Sequence, residues 1–178
     1  MATDLLVGVR QVLSPHFDAR PGGIAPDLIV IHGISLPPGE FGGPWIDRLF
    51  TGALPPDAHP FFVEAAALRV SSHVLIRRSG ELVQYVPFGA RAWHAGASEY
   101  CGRTECNDFS IGIELEGVDD RPYEDAQYAS LTSVIGALRA AYPTLSREDI
   151  VGHSDIAPGR KTDPGPAFDW ARLRKSIA

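Results

Sequence analysis

The chain has 178 residues, a formal net charge of −6 and 44% hydrophobic residues, which fits one domain with some elaboration. It is too apolar and too weakly charged to be disordered, and it has no run of about 18 apolar residues that would span a membrane. Its acidic balance excludes a general nucleic-acid binder, which needs a surplus of Lys and Arg. Glycine (18) and proline (15) are enriched over their usual share of about 12%, a sign of long shaped loops over a compact core. A chain this long buries about 70% of its unfolded surface and needs no covalent staple. Cys101 and Cys106 stand alone in CGRTEC, a spacing that suits neither a redox CxxC nor a four-thiolate zinc site. The segment MATDLLVGVRQVLSP carries Asp4 and Arg10 and no extended apolar stretch. It does not read as a secretory leader, and the expected location is cytoplasmic.

In chain order, the first strong signal is Asp27–Ile31, a β-branched run after Pro26 that reads as a buried strand ending at His32. Residues 33–69 hold most of the Gly/Pro clusters and at most two short helices, near Pro44–Phe50 and Phe61–Leu68. We read 33–69 as one excursion over a face of the sheet, and as a candidate lid. Arg69–Ile76 and Glu81–Val86 flank Arg78-Ser79-Gly80 and predict a hairpin. Phe109–Glu116 alternates Ile111, Ile113 and Leu115 with Ser110, Gly112, Glu114 and Glu116, a period of two that predicts a strand with one polar face. Tyr123–Tyr142 predicts a helix, with Tyr128, Leu131, Ile135, Leu138 and Tyr142 on one stripe and Pro143 as the stop. Asp149–Gly152 reads as a short strand leading into His153, and Phe168–Ile177 as a closing helix with Trp170, Leu173 and Ile177 inward. The expected architecture is a single α/β domain over 1–178, a central mixed sheet flanked by helices.

Three polar positions stand out by their placement. His32 ends one strand, His153 follows another, and Asp163 lies between rigidifying residues in KTDPGPAF. Two imidazoles and one carboxylate suit zinc and leave a fourth position open, as in a catalytic site. On spacing alone the alternative stands that both histidines are hydrogen-bonded in the core and Asp163 caps a turn.

The segments IVIH (29–32), VSSHVLIRRSGELVQYVP (70–87), AWHAG (92–96), NDFSIGIELEG (107–117) and GHSDIAPGRKTDPGPAFDW (152–170) occur in this order. Together they resemble the zinc-dependent N-acetylmuramoyl-L-alanine amidases, whose fold is shared with phage lysozyme-type amidases and peptidoglycan recognition proteins. The resemblance implies one zinc per chain, held by His32, His153 and Asp163. It implies Glu114 as catalytic acid/base and Lys161 as the cation that stabilises the oxyanion. It also implies hydrolysis of the amide between N-acetylmuramic acid and L-alanine, on soluble 1,6-anhydro-muropeptides recovered in cell-wall recycling. Hydrolysis of an amide needs an activated water, a cation near the developing charge and a proton donor for the amine, and these residues supply that set. Candidate substrate contacts are Trp93 and His94 in AWHAG, and Arg69, Arg103 and Arg160, which can pair with stem-peptide carboxylates. The chain departs from the family pattern at Gly33, where Asn is usual after the first ligand, and near Glu105, where a basic residue is usual. We expect a monomer without nucleic-acid or membrane partners. The competing readings are an amidase for polymeric wall and a non-catalytic peptidoglycan-binding module.

Overall fold

The apolar run that ends at His32 and the alternating run that contains Glu114 lie side by side near the middle of the molecule. A computed structural model describes residues 4–178. The elements in chain order are β1 (Arg10–Gln11), β2 (Phe17–Ala19), β3 (Leu28–Ile34), α1 (Trp45–Phe50), α2 (Phe62–Ala65), β4 (Val74–Ile76), β5 (Leu82–Gln84), β6 (Ala90–Ala92), β7 (Glu99–Tyr100), β8 (Arg103–Thr104), β9 (Ser110–Glu116), α3 (Asp125–Ala141), β10 (Ile150–Gly152), α4 (His153–Ile156) and α5 (Trp170–Ser176). A six-stranded sheet runs in the order β1-β5-β4-β9-β3-β10. It is mixed: β4 and β5 are antiparallel, and the remaining neighbours are parallel.

The two faces of the sheet have different fates. Ile29 and Ile31 of β3 and Ile111, Ile113 and Leu115 of β9 pack under α3 and α5, against Tyr128, Leu131, Ile135, Leu138, Leu173 and Ile177. These are the stripe positions the 3.6-residue period selects. The stripe is completed by Val134, while Tyr142 lies just past the helix end, half-buried, and its hydroxyl donates to Asp4 Oδ1 at 2.8 Å. Gln127, buried on the same helix, donates to the carbonyls of Ile76 (3.2 Å) and Glu116 (3.0 Å) and so staples α3 to the sheet. Trp170 is only partly buried against this core.

On the opposite face, β9 was expected to present a polar surface. All seven of its residues are instead buried, because the 33–69 excursion and the loop before β9 cover that face. The expected strand from Arg69 begins only at Val74. The hydroxyls of Ser71 and Ser72 donate to the carbonyls of His16 (2.5 Å) and Gly112 (2.8 Å), which diverts 70–73 from regular ladder pairing.

The excursion is firmly anchored. Leu36, Ile46, Leu49, Phe50, Leu54, Phe62 and Ala65 form a cluster with Leu75, Val83, Tyr85 and Val86. Burying side chains of this size is worth about 1.5–3 kcal/mol each, so the middle of the segment is a wall of the domain. Its outer edge is looser in packing: Phe61, Val63 and Leu68 are exposed. Among the described residues, no helix is long and apolar enough to cross a membrane. Hydrogen exchange tests the anchoring. The amides at the end of α1 are expected to exchange about as slowly as those of β3, and those of 61–69 faster. Rapid exchange throughout α1 would show a hinged flap instead of a wall.

Candidate active site

The site forms where parallel strands end. β3 and β9 pair so that His32 lies opposite Glu114, and β10 pairs with β3 so that Gly152 lies opposite Ile31. His153, the next residue, therefore emerges beside His32. Side chains at the carboxyl ends of parallel strands converge on a crevice above the sheet. A cavity of 210 Å³ opens there, and its wall includes His32, Glu114, His153, Lys161, Asp163 and Trp93. Leu49, Phe50 and Leu68 of the excursion close one side.

His32, His153 and Asp163 each turn one donor atom to a common point, all within 4.8 Å of one another. His32 Nδ1 lies 3.0 Å from His153 Nδ1 and 3.2 Å from Asp163 Oδ2, and His153 Nδ1 lies 3.1 Å from the same oxygen. A tetrahedral ion with bonds near 2.0–2.1 Å separates its ligands by about 3.3 Å. Two imidazoles and a carboxylate at this spacing therefore fit a zinc-sized cation. The far nitrogens are also engaged: His153 Nε2 donates to Ala95 O (3.1 Å), and His32 Nε2 meets His94 Nδ1 (2.9 Å). Such outer bonds fix the ring orientation of a metal-binding histidine.

Electrostatics separates the roles of the acids. Burial pushes Glu114 well above the ordinary carboxylate range; the nearby Asp163 adds to this and Lys161 opposes it. Burial acts on Asp163 in the same direction, yet the adjacent His153 and His32 rings outweigh it and hold Asp163 below the usual range. Glu116, on the same face of β9, is consumed structurally. Its carboxylate accepts from Gly42 N (2.7 Å), Arg77 Nη1 (3.0 Å) and Arg78 N (3.2 Å) and ties the excursion to the sheet.

The remaining sequence candidates divide. Trp93 is half-buried at the cavity wall and stacks on His16 at 6.0 Å. His94 lines the cavity, but both ring nitrogens are taken, Nδ1 by His32 and Nε2 by Ser110 Oγ (3.2 Å). Lys161 and Arg69 are exposed, Lys161 in the cavity wall and Arg69 between the wall residues Leu68 and Val70. Arg160 donates to the carbonyls of Ala95 (2.6 Å) and Ala97 (2.7 Å), buttressing the loop that holds His94. The structure does not bring Arg103 to the cavity. Its guanidinium pairs with Asp27 Oδ2 (2.8 Å) and lies over Phe109, at the far end of β3.

Sequence reasoning passed over three supports. Asn107 Oδ1 accepts from the backbone N–H groups of His94 (3.0 Å) and Ala95 (2.8 Å). Tyr123 donates to the carbonyl of Pro164 (2.9 Å), beside Asp163, and its hydroxyl fills the space a side chain at Gly33 would need. Gly112 gives the His94 ring room, and a glycine inside a strand is a readable sign of such close approach.

Burial also predicts how the metal-free protein responds to pH. His32 is pushed down to about 4 and His73 to about 3, mainly by burial, and His94 well below its usual value. The unfolded chain protonates these rings near 6.5, so between pH 6.5 and about 4 it binds more protons than the folded one. Their contribution is complete above pH 6.5 and is lost as pH falls through this window. Glu114 has the opposite sign: its contribution is present below about pH 4.5 and is lost as pH rises through its elevated folded value. Three imidazoles outnumber one carboxyl, so the urea midpoint of metal-free protein is expected to fall from pH 7 to pH 5. A midpoint that rises over that range would contradict the burial of these rings.

Known proteins fit this geometry. The N-acetylmuramoyl-L-alanine amidase family matches residues 22–166. The 1,6-anhydro-N-acetylmuramyl-L-alanine amidase AmpD of Escherichia coli (strain K12) is 66% identical over 173 residues, which cover 97% of this chain and 94% of that protein. The crystal structure of a Se-Met AmpD derivative superposes with a TM-score of 0.97 at 60% identity, covering 100% of this chain and 99% of that one. A complex of the E. coli amidase AmiD with the substrate anhydro-N-acetylmuramic acid-L-Ala-D-gamma-Glu-L-Lys superposes at 0.62 with 28% identity, covering 97% of this chain and 60% of that one. With a matching profile over most of its length and a close relative over nearly all of it, the chain belongs to the N-acetylmuramoyl-L-alanine amidase family.

Proposed function

We propose that this chain hydrolyses the amide between 1,6-anhydro-N-acetylmuramic acid and the L-alanine of its stem peptide, in soluble muropeptides released during cell-wall recycling. The observation that carries the reading is the convergence of His32, His153 and Asp163 beside Glu114 in one cavity. The sugar form and the recycling role rest on the 66% identity to AmpD. We place the reaction in the cytoplasm, on the likeness to the recycling amidase AmpD, and in a monomer, since one chain supplies every group named.

His32 Nδ1, His153 Nδ1 and Asp163 Oδ2 would hold a single zinc. Zinc in that position supplies Lewis acidity and an activated water at neutral pH. Glu114, raised above the ordinary carboxylate range by burial, faces the cavity. It takes the proton of the attacking water and passes it to the alanine nitrogen as the amide bond breaks. Lys161, at the cavity wall, places its ammonium where negative charge grows on the carbonyl oxygen. The exposed face of Trp93 and the apolar wall of Leu49, Phe50 and Leu68 receive the sugar and lactyl portions. Arg69 at the rim faces the stem-peptide carboxylates, with Arg160 adding positive charge nearby.

Mass spectrometry of an anhydro-muropeptide incubated with zinc-loaded protein tests the reading. Free peptide and anhydro-sugar are expected, and a chelator should abolish both. An intact soluble substrate together with cleavage of insoluble wall would replace this reading with a wall-acting amidase. Intact substrate in both assays would leave a binding module. Two variants test the roles. Asp163→Ala is expected to lose zinc and activity together. Glu114→Gln is expected to keep zinc and to lose about 10²–10⁴-fold in kcat; a kcat equal to wild type would remove Glu114 from the chemistry.

A further inference from the structure

We propose that His94 is a positioning residue for the metal-binding face of His32, seated by Gly112 and polarised by Ser110. The inference rests on the reading that His32, His153 and Asp163 hold zinc. An imidazole that offers its lone pair at Nδ1 carries its proton at Nε2. His32 Nδ1 faces the other two donor atoms, so Nε2 must donate, and its partner is His94 Nδ1 at 2.9 Å. His94 must then carry its own proton at Nε2 and donate it to Ser110 Oγ at 3.2 Å. The Ser110 hydroxyl in turn donates to Cys106 O at 2.6 Å. Each link fixes the direction of the next, and the series ends on a backbone carbonyl that can only accept. His32 is therefore held in the tautomer that presents Nδ1.

The seat of the ring is equally specific. A Cβ at Gly112 would lie 2.5 Å from His94 Cγ, so β9 admits the imidazole only where it has no side chain. Asn107 fixes the backbone of His94 and Ala95 together, and Ala95 O accepts from His153 Nε2. One short segment thus orients both histidine ligands, through a side chain for His32 and through a carbonyl for His153. With both nitrogens engaged, His94 has no hydrogen-bonding atom left for substrate.

Zinc affinity, measured by competition with a chromogenic chelator, reads this role without substrate. His94→Phe removes the acceptor and is expected to weaken zinc binding by about 10–100-fold, the usual effect of losing an outer-sphere partner. His94→Gln offers an amide oxygen in its place and is expected to recover part of that loss. Gly112→Ala keeps His94 but displaces its ring, and is expected to weaken zinc as His94→Phe does. Unchanged zinc affinity in His94→Phe and Gly112→Ala, with native circular dichroism, would overturn the proposal. So would a raised KM with wild-type zinc affinity, which would mark a substrate contact. Where His94→Phe does not fold, Gly112→Ala and Ser110→Ala carry the same comparison, and wild-type affinity in both would overturn it. Long-range ¹H–¹⁵N correlation on metal-free wild type gives an independent reading: the Nε2–H tautomer of His32 is expected, and the Nδ1–H tautomer would refute the relay. A wild type that binds no zinc would defeat the metal reading itself, and the tautomer would still decide the hydrogen-bond chain.

Discussion

The register of β9 against β3 is the constraint on which the rest depends. It sets His32 beside Glu114 and, through the same alternation, sends Ile111, Ile113 and Leu115 into the core beneath α3. A slip of one residue would drive Glu114 into that core and turn Ile113 toward the cavity. The apolar face therefore fixes the chemical face. Stability and site geometry are specified by the same pairing, and β10 extends it by delivering His153 to the edge of the same crevice.

Burial on this scale requires that polar groups be answered, and most are. Glu116 has three donors, and the guanidinium of Arg20 reaches the carbonyls of Asn107, Asp108, Phe88 and Ser110. Glu114 differs. Among the described residues its carboxyl has no hydrogen-bond partner, and it opens onto the cavity. Glu116 is held in place by its donors, whereas Glu114 faces the cavity, where it can exchange a proton with a bound group. The two acids stand two residues apart on one strand, and their neighbours alone separate scaffold from chemistry.

Much of this was legible in the residues. The period of two in FSIGIELE and the stripe in α3 follow from burying one face of each element, so local pattern and tertiary environment agree. Placement singles out the three candidate ligands but only the family pattern joins them, because His32 lies 121 residues from His153 and 131 from Asp163 and carries no local signal of meeting them. What was illegible depends on distant cover. The polar side of β9 looks solvent-facing until 33–69 folds over it, and that segment owes its shape to long-range packing on Leu75, Val83 and Tyr85. Arg103 reads as a carboxylate binder by type, yet it pairs with Asp27 away from the cavity. His94 reads as a substrate contact by motif, and its two ring nitrogens meet His32 and Ser110 over Gly112, contacts that no local pattern announces.

The proposed zinc would be held by the Nδ1 atoms of two imidazoles and by one carboxylate, with no thiolate. X-ray absorption at the zinc edge of loaded protein tests this most directly. The account predicts a first shell of nitrogen and oxygen near 2.0–2.1 Å with the outer-shell scattering of two imidazoles. A sulfur shell near 2.3 Å, or scattering from other than two imidazoles, would contradict it.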